Sequence, residues 1–437
     1  MRQVARRLGS RLTSAAAGAV VAQVWQAAGS FALQILAAHL LGASGLGTVA
    51  LSYGVLILVT AVASGIVGDS LTVLDRHDPR IRAGLAGWTV LLAALGGLGT
   101  GVGLWVSGVL DGWLAPVAMG LAAVLFVVEE IVRRVLMATM RFWRLVVVDT
   151  AAVVTTLAGV ALAARGSIAV HHIFLALAVG QLVGILVGVS LLPVAERDRP
   201  AWRGAAYREV LAFGGWRGLQ VAVNPTALTA MRFLVVAAAG AAALGALEAA
   251  RIFVAPATLV VQGLGSYLFA SYARDRTAPV ATLRARASRA SLGLAVGALA
   301  MGVLAMVLAP SIGHLVTGPG FAISPLAVLA WSVYAAAIAT VQPFASLAAT
   351  RGRQRAVLGV RVLDSLLGLG VLAVGLGIGV LPVAATPIAL ALGLVVGGVV
   401  LRSLISRIEP QNPARSGTMD TNSALRGVER SAASAGA

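Results

Sequence analysis

Cysteine and lysine are both absent from the 437 residues, so every one of the 33 basic side chains is an arginine. Without cysteine there is no disulfide and no thiolate metal site, and the redox compartment is left unmarked. Charge of either sign is scarce: 11% of residues are charged, against about 25% in ordinary soluble domains. Aromatics are also few, at 5%. These shortages exclude a conventional soluble enzyme. No nucleophile–base pair, paired catalytic carboxylates or phosphate-cradling glycine loop stands in an exposed context, so no enzymatic activity and no cofactor is expected.

What fills the chain is apolar: 59% of residues are hydrophobic and the mean hydropathy is +0.94. A membrane-spanning helix needs about 20 such residues. Segments of that kind fall near 17–41, 46–74, 85–109, 113–136, 145–164, 170–194, 213–238, 243–272, 291–316, 322–348, 357–379 and 384–404. The expectation is an all-α polytopic membrane protein with about twelve transmembrane helices. Arg2, Arg6, Arg7 and Arg11 precede the first apolar run as in a secretory signal, but that run is too long for one and further spans follow directly. A net charge of +17 would suggest nucleic acid in a soluble protein. Here the arginines lie between apolar runs, so the expected partner is the bilayer and no nucleic acid is implied.

With the N-terminus inside, 29 of the 33 arginines fall in inner segments and one, Arg165, in an outer loop. Retention of arginine on the cytoplasmic side then places both termini in the cytoplasm. The expected organisation is a basic N-terminus (1–14), a six-helix N-lobe (15–195), a cytoplasmic linker (196–212), a six-helix C-lobe (213–405) and a disordered cytoplasmic tail (406–437) rich in Ser, Ala and Gly. The linker, with Trp202 and Tyr207 among its arginines, either lies along lipid headgroups or is a plain solvated connection.

A shift of 198 residues lays Gly42, Gly47, Val62 and Arg76 on Gly240, Gly245, Val260 and Arg274, and pairs Gln26 with Asn224 and Thr60 with Thr258. Copies six spans apart run in the same direction, as in a parallel repeat about the membrane normal. The stretches LQILAAHLLGASGLGTVALS, GALEAARIFVAPATLVVQGLGSYLFASYAR and SLAATRGRQRAVLGVRVLDSLLGLG resemble the polysaccharide-export branch of the multidrug/oligosaccharidyl-lipid/polysaccharide flippase superfamily. That resemblance implies two six-helix lobes around a central cavity, alternating access, and export of polyprenyl-pyrophosphate-linked sugars across a bacterial plasma membrane. His39 departs from the pattern, because relatives commonly carry Arg there.

The remaining three arginines, Arg217, Arg232 and Arg251, fall inside spans. A charge at a helix centre costs roughly 2.5–3.5 kcal/mol, so each needs a partner, a wet cavity or a shallow position. Arg217 is shallow enough to anchor at the interface. Arg232 and Arg251 lie about 10–12 Å deep at 1.5 Å per residue, at matching depth on successive spans, and can form an anion site. At about 100° per residue, Gln220, Asn224 and Arg232 share one face with Arg217. Gln23, Gln26, Ser30 and Gln34 form another polar stripe on span one, and Glu248, Arg251, Gln262 and Ser266 a third on span eight. These stripes line a cavity or glue the bundle through hydrogen bonds. Pro225 and Pro256 sit mid-span as gating hinges or as passive kinks. Glu248, three residues before Arg251, is a structural ion pair or a group that a substrate phosphate displaces. Asp69, Glu129, Glu130 and Asp364 are expected in ordinary interfacial positions. His171 and His172 lack partners at ligand spacing, and no metal is assigned.

The expected substrate is thus an anionic lipid-linked sugar, held by Arg232, Arg251, Arg217, Asn224, Gln220, Glu248, Gln26, Ser30 and Gln34. Polysaccharide synthesis or polymerisation proteins are candidate partners. An ion-coupled multidrug exporter of the same fold and a peptidoglycan-precursor flippase are the alternatives. The exporter calls for a deep acidic group, and the first two spans offer Gln and Ser instead. A non-transporting scaffold in a polysaccharide assembly complex is a further class.

Overall fold

A computed structural model describes residues 2–197, 204–275, 278–318, 321 and 323–406. The expected tail beyond Ser406 and residues 198–203 of the expected linker, including Trp202, lie outside them. Among the described residues the regular structure is helical throughout: α1 Arg2–Ala63, a π-turn Ser64–Gly68, α2 Ser70–Val73, α3 Pro79–Val106, α4 Leu114–Ala138, α5 Phe142–Ala163, α6 Val170–Leu191, α7 Tyr207–Arg274, α8 Val280–Thr317, α9 Pro325–Thr350, α10 Gln354–Gly377 and α11 Thr386–Ser406. Among the described residues ten helical stretches are long and apolar enough to cross a bilayer. This is a multi-pass membrane protein.

Spans one and two, expected as separate helices, share the label α1, and spans seven and eight share α7. Each is nevertheless a hairpin. The hydroxyls of Ser30 and Tyr53 are 3.0 Å apart, whereas a continuous helix would hold these residues about 35 Å apart. Arg232 and Glu248, at 2.7 Å, would otherwise be separated by about 24 Å. The reversals occur at Gly42 (φ 66°, ψ −166°) and Gly240 (φ 83°, ψ 170°), a backbone region open essentially to glycine alone. The arms before and after each glycine are α1a (2–41), α1b (43–63), α7a (207–239) and α7b (241–274). α8 begins eleven residues before the expected start of span nine at 291, because a helix carrying Arg284, Arg286 and Arg289 continues beyond the part that hydropathy detects.

The two glycine reversals are 198 residues apart, and the repeat is also written into the contacts. A Cβ on Gly47 would lie 1.8 Å from the Ala241 carbonyl oxygen, and one on Gly245 would lie 1.8 Å from that of Ala43. These are the same contact made twice, with partners exchanged. Buried side chains gather in two large clusters, one from α1–α6 and one from α7–α11. Each borrows a residue from the other half: Leu51 enters the C-terminal cluster and Ala249, its mate at +198, enters the N-terminal one. Small residues achieve this closeness in a solvent that gives helices no hydrophobic reason to associate. The same device recurs where Gly180 and Gly184 of α6 close on Ala152 of α5, and Gly393 and Gly397 of α11 close on Asp364 of α10.

The symmetry breaks at one end of the bundle, where the arginine-bearing loops gather and Arg76 pairs with Glu196 at 2.8 Å. There Gly65 of the π-turn meets the backbone of Gly218, and Gly214 meets the Ile66 carbonyl, so α1b and α7a are closed on each other. Gly263, the mate of Gly65, has nothing within 4 Å of where its Cβ would stand. Residues 64–68 form a π-turn, whereas their mates in α7b are ordinary helix. The contacts at the glycine reversals are thus matched and those at the Arg-rich end are not.

Gly47→Ala and Gly245→Ala should each lower the unfolding temperature of the purified protein in detergent, despite a gain of about 1 kcal/mol in helix propensity. Gly99→Ala, with open space around its Cβ position, should leave it level or raised.

Candidate functional site

In the C-terminal half the hairpin turn at Gly240 brings α7a and α7b side by side and sets Arg232 and Arg251 on one carboxylate. Arg232 Nε donates to Glu248 Oε1 at 2.7 Å, and Arg251 Nε donates to Glu248 Oε2 at 2.5 Å. Glu248 is fully buried. The missing Cβ of Gly54 on α1b makes room for the Arg232 guanidinium, since a Cβ there would stand 2.5 Å from Nη1. Arg251 Nη2 reaches across the halves to Gln34 Oε1 at 3.0 Å. Its guanidinium lies 5.9 Å from the Trp331 ring centroid, within cation–π range, and the Trp331 indole is fixed by donating to the Leu247 carbonyl at 2.9 Å. Two cations share one anion, and the Arg251 side chain remains 31% exposed.

The expected stripe on span seven does not form one site. Arg217 keeps its stripe neighbour Gln220 at 2.7 Å and binds Asp69 of the other half through Nε at 2.9 Å, apart from Asn224 and Arg232. Asn224 accepts from the Tyr334 hydroxyl at 3.4 Å. The backbone stays helical at Pro225 and Pro256, and the non-helical point in α7 is Gly240. The span-one stripe is divided as well. Gln34 serves Arg251, Ser30 pairs with Tyr53, and Gln26 accepts from Arg133 at 3.2 Å. His39 Nδ1 sits 3.0 Å from the Ile35 carbonyl.

A second cluster, in the N-terminal half, overturns the interfacial reading of Glu129 and Glu130. Both are buried, as are Arg133 and Asp149. Arg133 was counted among the inner-segment arginines; instead it donates to Asp149 Oδ1 at 2.8 Å and Glu130 Oε2 at 2.7 Å. Glu129 stands off at 3.8 Å. Glu129, Arg133 and Asp149, with Gln26, Ser30, Tyr53, Thr156 and Gln181, line a cavity of about 60 Å³. Deep acids therefore come from α4 and α5 and not from the first two spans. Glu129 lies nine residues from the end of α4, about 13 Å deep by rise, so its depth is legible in the sequence just as that of Arg232 is. Asp364 is buried too, against the glycines of α11.

Between the clusters, at the Arg-rich end, Asp69 joins the halves. It binds Arg217 Nη2 at 2.8 Å and lies 3.7 Å from Arg134. Arg134 is held by Glu130 Oε1 at 2.8 Å, to which Ser64 of the π-turn also donates, at 3.2 Å.

No protein-family model matches the chain, and no curated protein matches it in sequence. Solved structures do match in shape. An inward-closed structure of the lipid II flippase MurJ aligns with a TM-score of 0.68 at 12% identity, over 89% of this chain and 87% of that one. An inward-facing MATE-family multidrug resistance transporter of the MOP superfamily aligns at 0.67 and 15% identity, over 90% and 99%. The chain has the MATE/MOP transporter fold. A MOP superfamily transporter from Pyrococcus furiosus, described as having a binding pocket of reverse polarity, aligns at 0.63 and 14%, over 91% and 94%. These neighbours are transporters or flippases and not enzymes.

Glu248→Gln should destabilise the protein by about 3–5 kcal/mol, because it leaves two guanidiniums without their shared anion. Adding Arg232→Gln should recover much of the loss, since the remaining Arg251 is part-exposed. Thermal unfolding of the single and double variants checks both.

Proposed function

We propose that this chain is a transporter that carries a polyprenyl-pyrophosphate-linked oligosaccharide across the bacterial plasma membrane by alternating access. In this reading it crosses the bilayer twelve times in two six-helix lobes, 15–195 and 213–405, with both termini cytoplasmic and the Arg-rich end facing the cytoplasm. The observation that carries the proposal is the unbalanced positive charge where the halves meet: Arg232 and Arg251 share only Glu248, and Arg251 points a part-exposed guanidinium at Gln34. A pyrophosphate can take charge-assisted hydrogen bonds from that guanidinium, while Asn224, Gln220, Gln26 and Ser30 line its route and Arg217 meets it early. The space around Gly263 supports entry between α1a and α7b, which leaves the lipid tail in the bilayer. Pro225 and Pro256 each free a backbone carbonyl one turn earlier and serve as flexing points. An inside-negative potential favours outward movement of an anion by about 2.3 kcal/mol per charge per 100 mV.

A multidrug exporter is the second reading, favoured by the buried carboxylates of the N-terminal half. Their cavity, about 60 Å³, is far below the roughly 300–1,000 Å³ of drug-sized pockets. A peptidoglycan-precursor flippase would share the pyrophosphate chemistry and differ in the sugar.

Arg251→Gln keeps the Arg232–Glu248 pair and so should insert normally while losing export. In a depletion strain complemented with it, lipid-linked oligosaccharide should accumulate, protected from a sugar-modifying enzyme that cannot cross the membrane. Unchanged lipid pools and sidedness would overturn the proposal and turn attention to drug efflux.

A further inference from the structure

We infer that the C-terminal half carries, at the Arg-rich end, a binding surface for anionic phospholipid headgroups, formed by Arg284 and Arg289 of α8 and by Arg353 and Arg355 at the start of α10. The inference needs only that these helices cross a bilayer and is independent of the substrate carried.

The first observation is an inequality between repeat mates. Residues 69–197 contain nine arginines and eight acids, whereas their mates at +198, residues 267–395, contain nine arginines and two acids. In the first stretch the arginines are committed to the protein itself. Arg76 binds Glu196, Arg80 and Arg144 donate to the carbonyls of Gly204 and Leu191, and Arg133 and Arg134 hold the acids of α4 and α5. In the second stretch Asp275 is taken by Arg286 at 2.7 Å and Asp364 by Arg361 at 3.4 Å, so neither acid is left for the other arginines. Arg284, Arg289, Arg353 and Arg355 are exposed and form no ion pair among the described residues.

The second observation is that these cations are gathered in one place. Gly352, with φ at 78°, turns the chain between α9 and α10, and Arg351 Nη2 donates to the Ala278 carbonyl at 2.8 Å. That bond sets the turn carrying Arg353 and Arg355 against the start of α8. Arg402 of α11 also finds neutral partners, the Ser291 hydroxyl of α8 at 3.4 Å and the Phe344 ring, whose centroid is 4.7 Å away.

The third observation selects the partner. Counting about 100° per residue, the exposed Leu292, Val296, Val303 and Val307 lie within about 60° of Arg289 on α8. On α10 the exposed Leu363 and Leu366 lie within about 80° of Arg355. Each of these arginines therefore crowns a ridge that faces lipid, at the level where headgroups begin. A soluble acidic protein would need the charge on a face turned away from the bilayer. A phosphate diester is already there, and a guanidinium fork matches its oxygens. Near an anionic leaflet each arginine contributes about fivefold in binding.

Because the chain contains no cysteine, Ser288→Cys, an exposed position between the two α8 arginines, can carry a single bimane fluorophore. Ala86→Cys, one turn before the exposed Val90 of α3, carries the matched label in the N-terminal half. In phosphatidylcholine nanodiscs, brominated phosphatidylglycerol should quench the label at 288 at a mole fraction at least about fivefold lower than brominated phosphatidylcholine requires. At 86 the two lipids should quench alike. Replacing Arg284, Arg289, Arg353 and Arg355 together with Gln should bring 288 to parity while the unfolding temperature in phosphatidylcholine stays level. Lys at the same four positions should restore the preference, which separates lost charge from a misfolded end. Parity at 288 in the parent would overturn the inference and leave the face to an acidic protein. A preference that survives the Gln replacements, or one equally strong at 86, would also overturn it. So would release of the quench by a small fraction of polyprenyl pyrophosphate, which would assign the arginines to substrate capture. None of these readouts measures export, so they stand or fall separately from the export assay.

Discussion

An ionised side chain placed in hydrocarbon must find its counter-charge within the protein, and in this chain that requirement decides which helices touch. Arginines bind carboxylates on their own turn, as Arg133 binds Glu130 and Arg251 binds Glu248, and they also bind across helices: Arg133 reaches from α4 to Asp149 on α5, Arg232 from α7a to Glu248 on α7b, and the part-exposed Arg217 from one half to Asp69 in the other. Breaking such a pair by removing one partner costs about 3–5 kcal/mol, whereas an exposed pair contributes at most about 1 kcal/mol. Scarcity of charge therefore gives each remaining charge more influence on the fold, and glycines such as Gly54 are placed where the bulky guanidiniums must pass.

Those pairs sit on a scaffold that is duplicated and then made unequal. The +198 relation holds for both reversing glycines, for the Gly47–Ala241 and Gly245–Ala43 contacts, and for the exchanged core residues Leu51 and Ala249. It fails at the charges. The N-terminal mates of Arg232 and Arg251 are Gln34 and Tyr53, which are neutral. It fails again at the π-turn, where Gly65 is packed and Gly263 is not. A perfectly symmetric pair of lobes would present two equivalent seams to the bilayer. Here one seam is locked by Asp69 and the other is not, and two seams of unequal stability are what an opening on one side needs.

How far the sequence anticipates this depends on the kind of signal. Apolar run length locates nearly every helix because crossing a bilayer demands it, but it is blind to the first turns of α8, which are helical and polar. Turn glycines at 42 and 240 are legible because no other residue takes that backbone. Arg232, Glu248 and Arg251 are legible because charge at depth is conspicuous and i, i+3 spacing is local. The N-terminal cluster is not, since Asp149 and Gln181 reach Glu129 only through tertiary packing of α4, α5 and α6, and nearby Arg133 and Arg134 give α4 the look of an ordinary interfacial end. The single stripe expected along span seven is likewise misleading: residues sharing a face over 15 positions extend more than 20 Å along the axis, far enough to meet different neighbours.

The two polar clusters differ in sign and in size, and α1a connects them. Gln26 serves the acidic cavity through Arg133, and Gln34, eight residues and about 12 Å along the same helix, serves the basic site through Arg251. The acidic cavity, about 60 Å³, has room for water or a small ion, and the basic cluster carries an excess of positive charge. Rotating or sliding α1a to satisfy one amide must disturb the other, because both are fixed by guanidiniums that are themselves held by carboxylates, Arg133 by Glu130 and Asp149 and Arg251 by Glu248. A displacement at either place is then transmitted to the other through a single rigid element, and coupling of that kind is reciprocal.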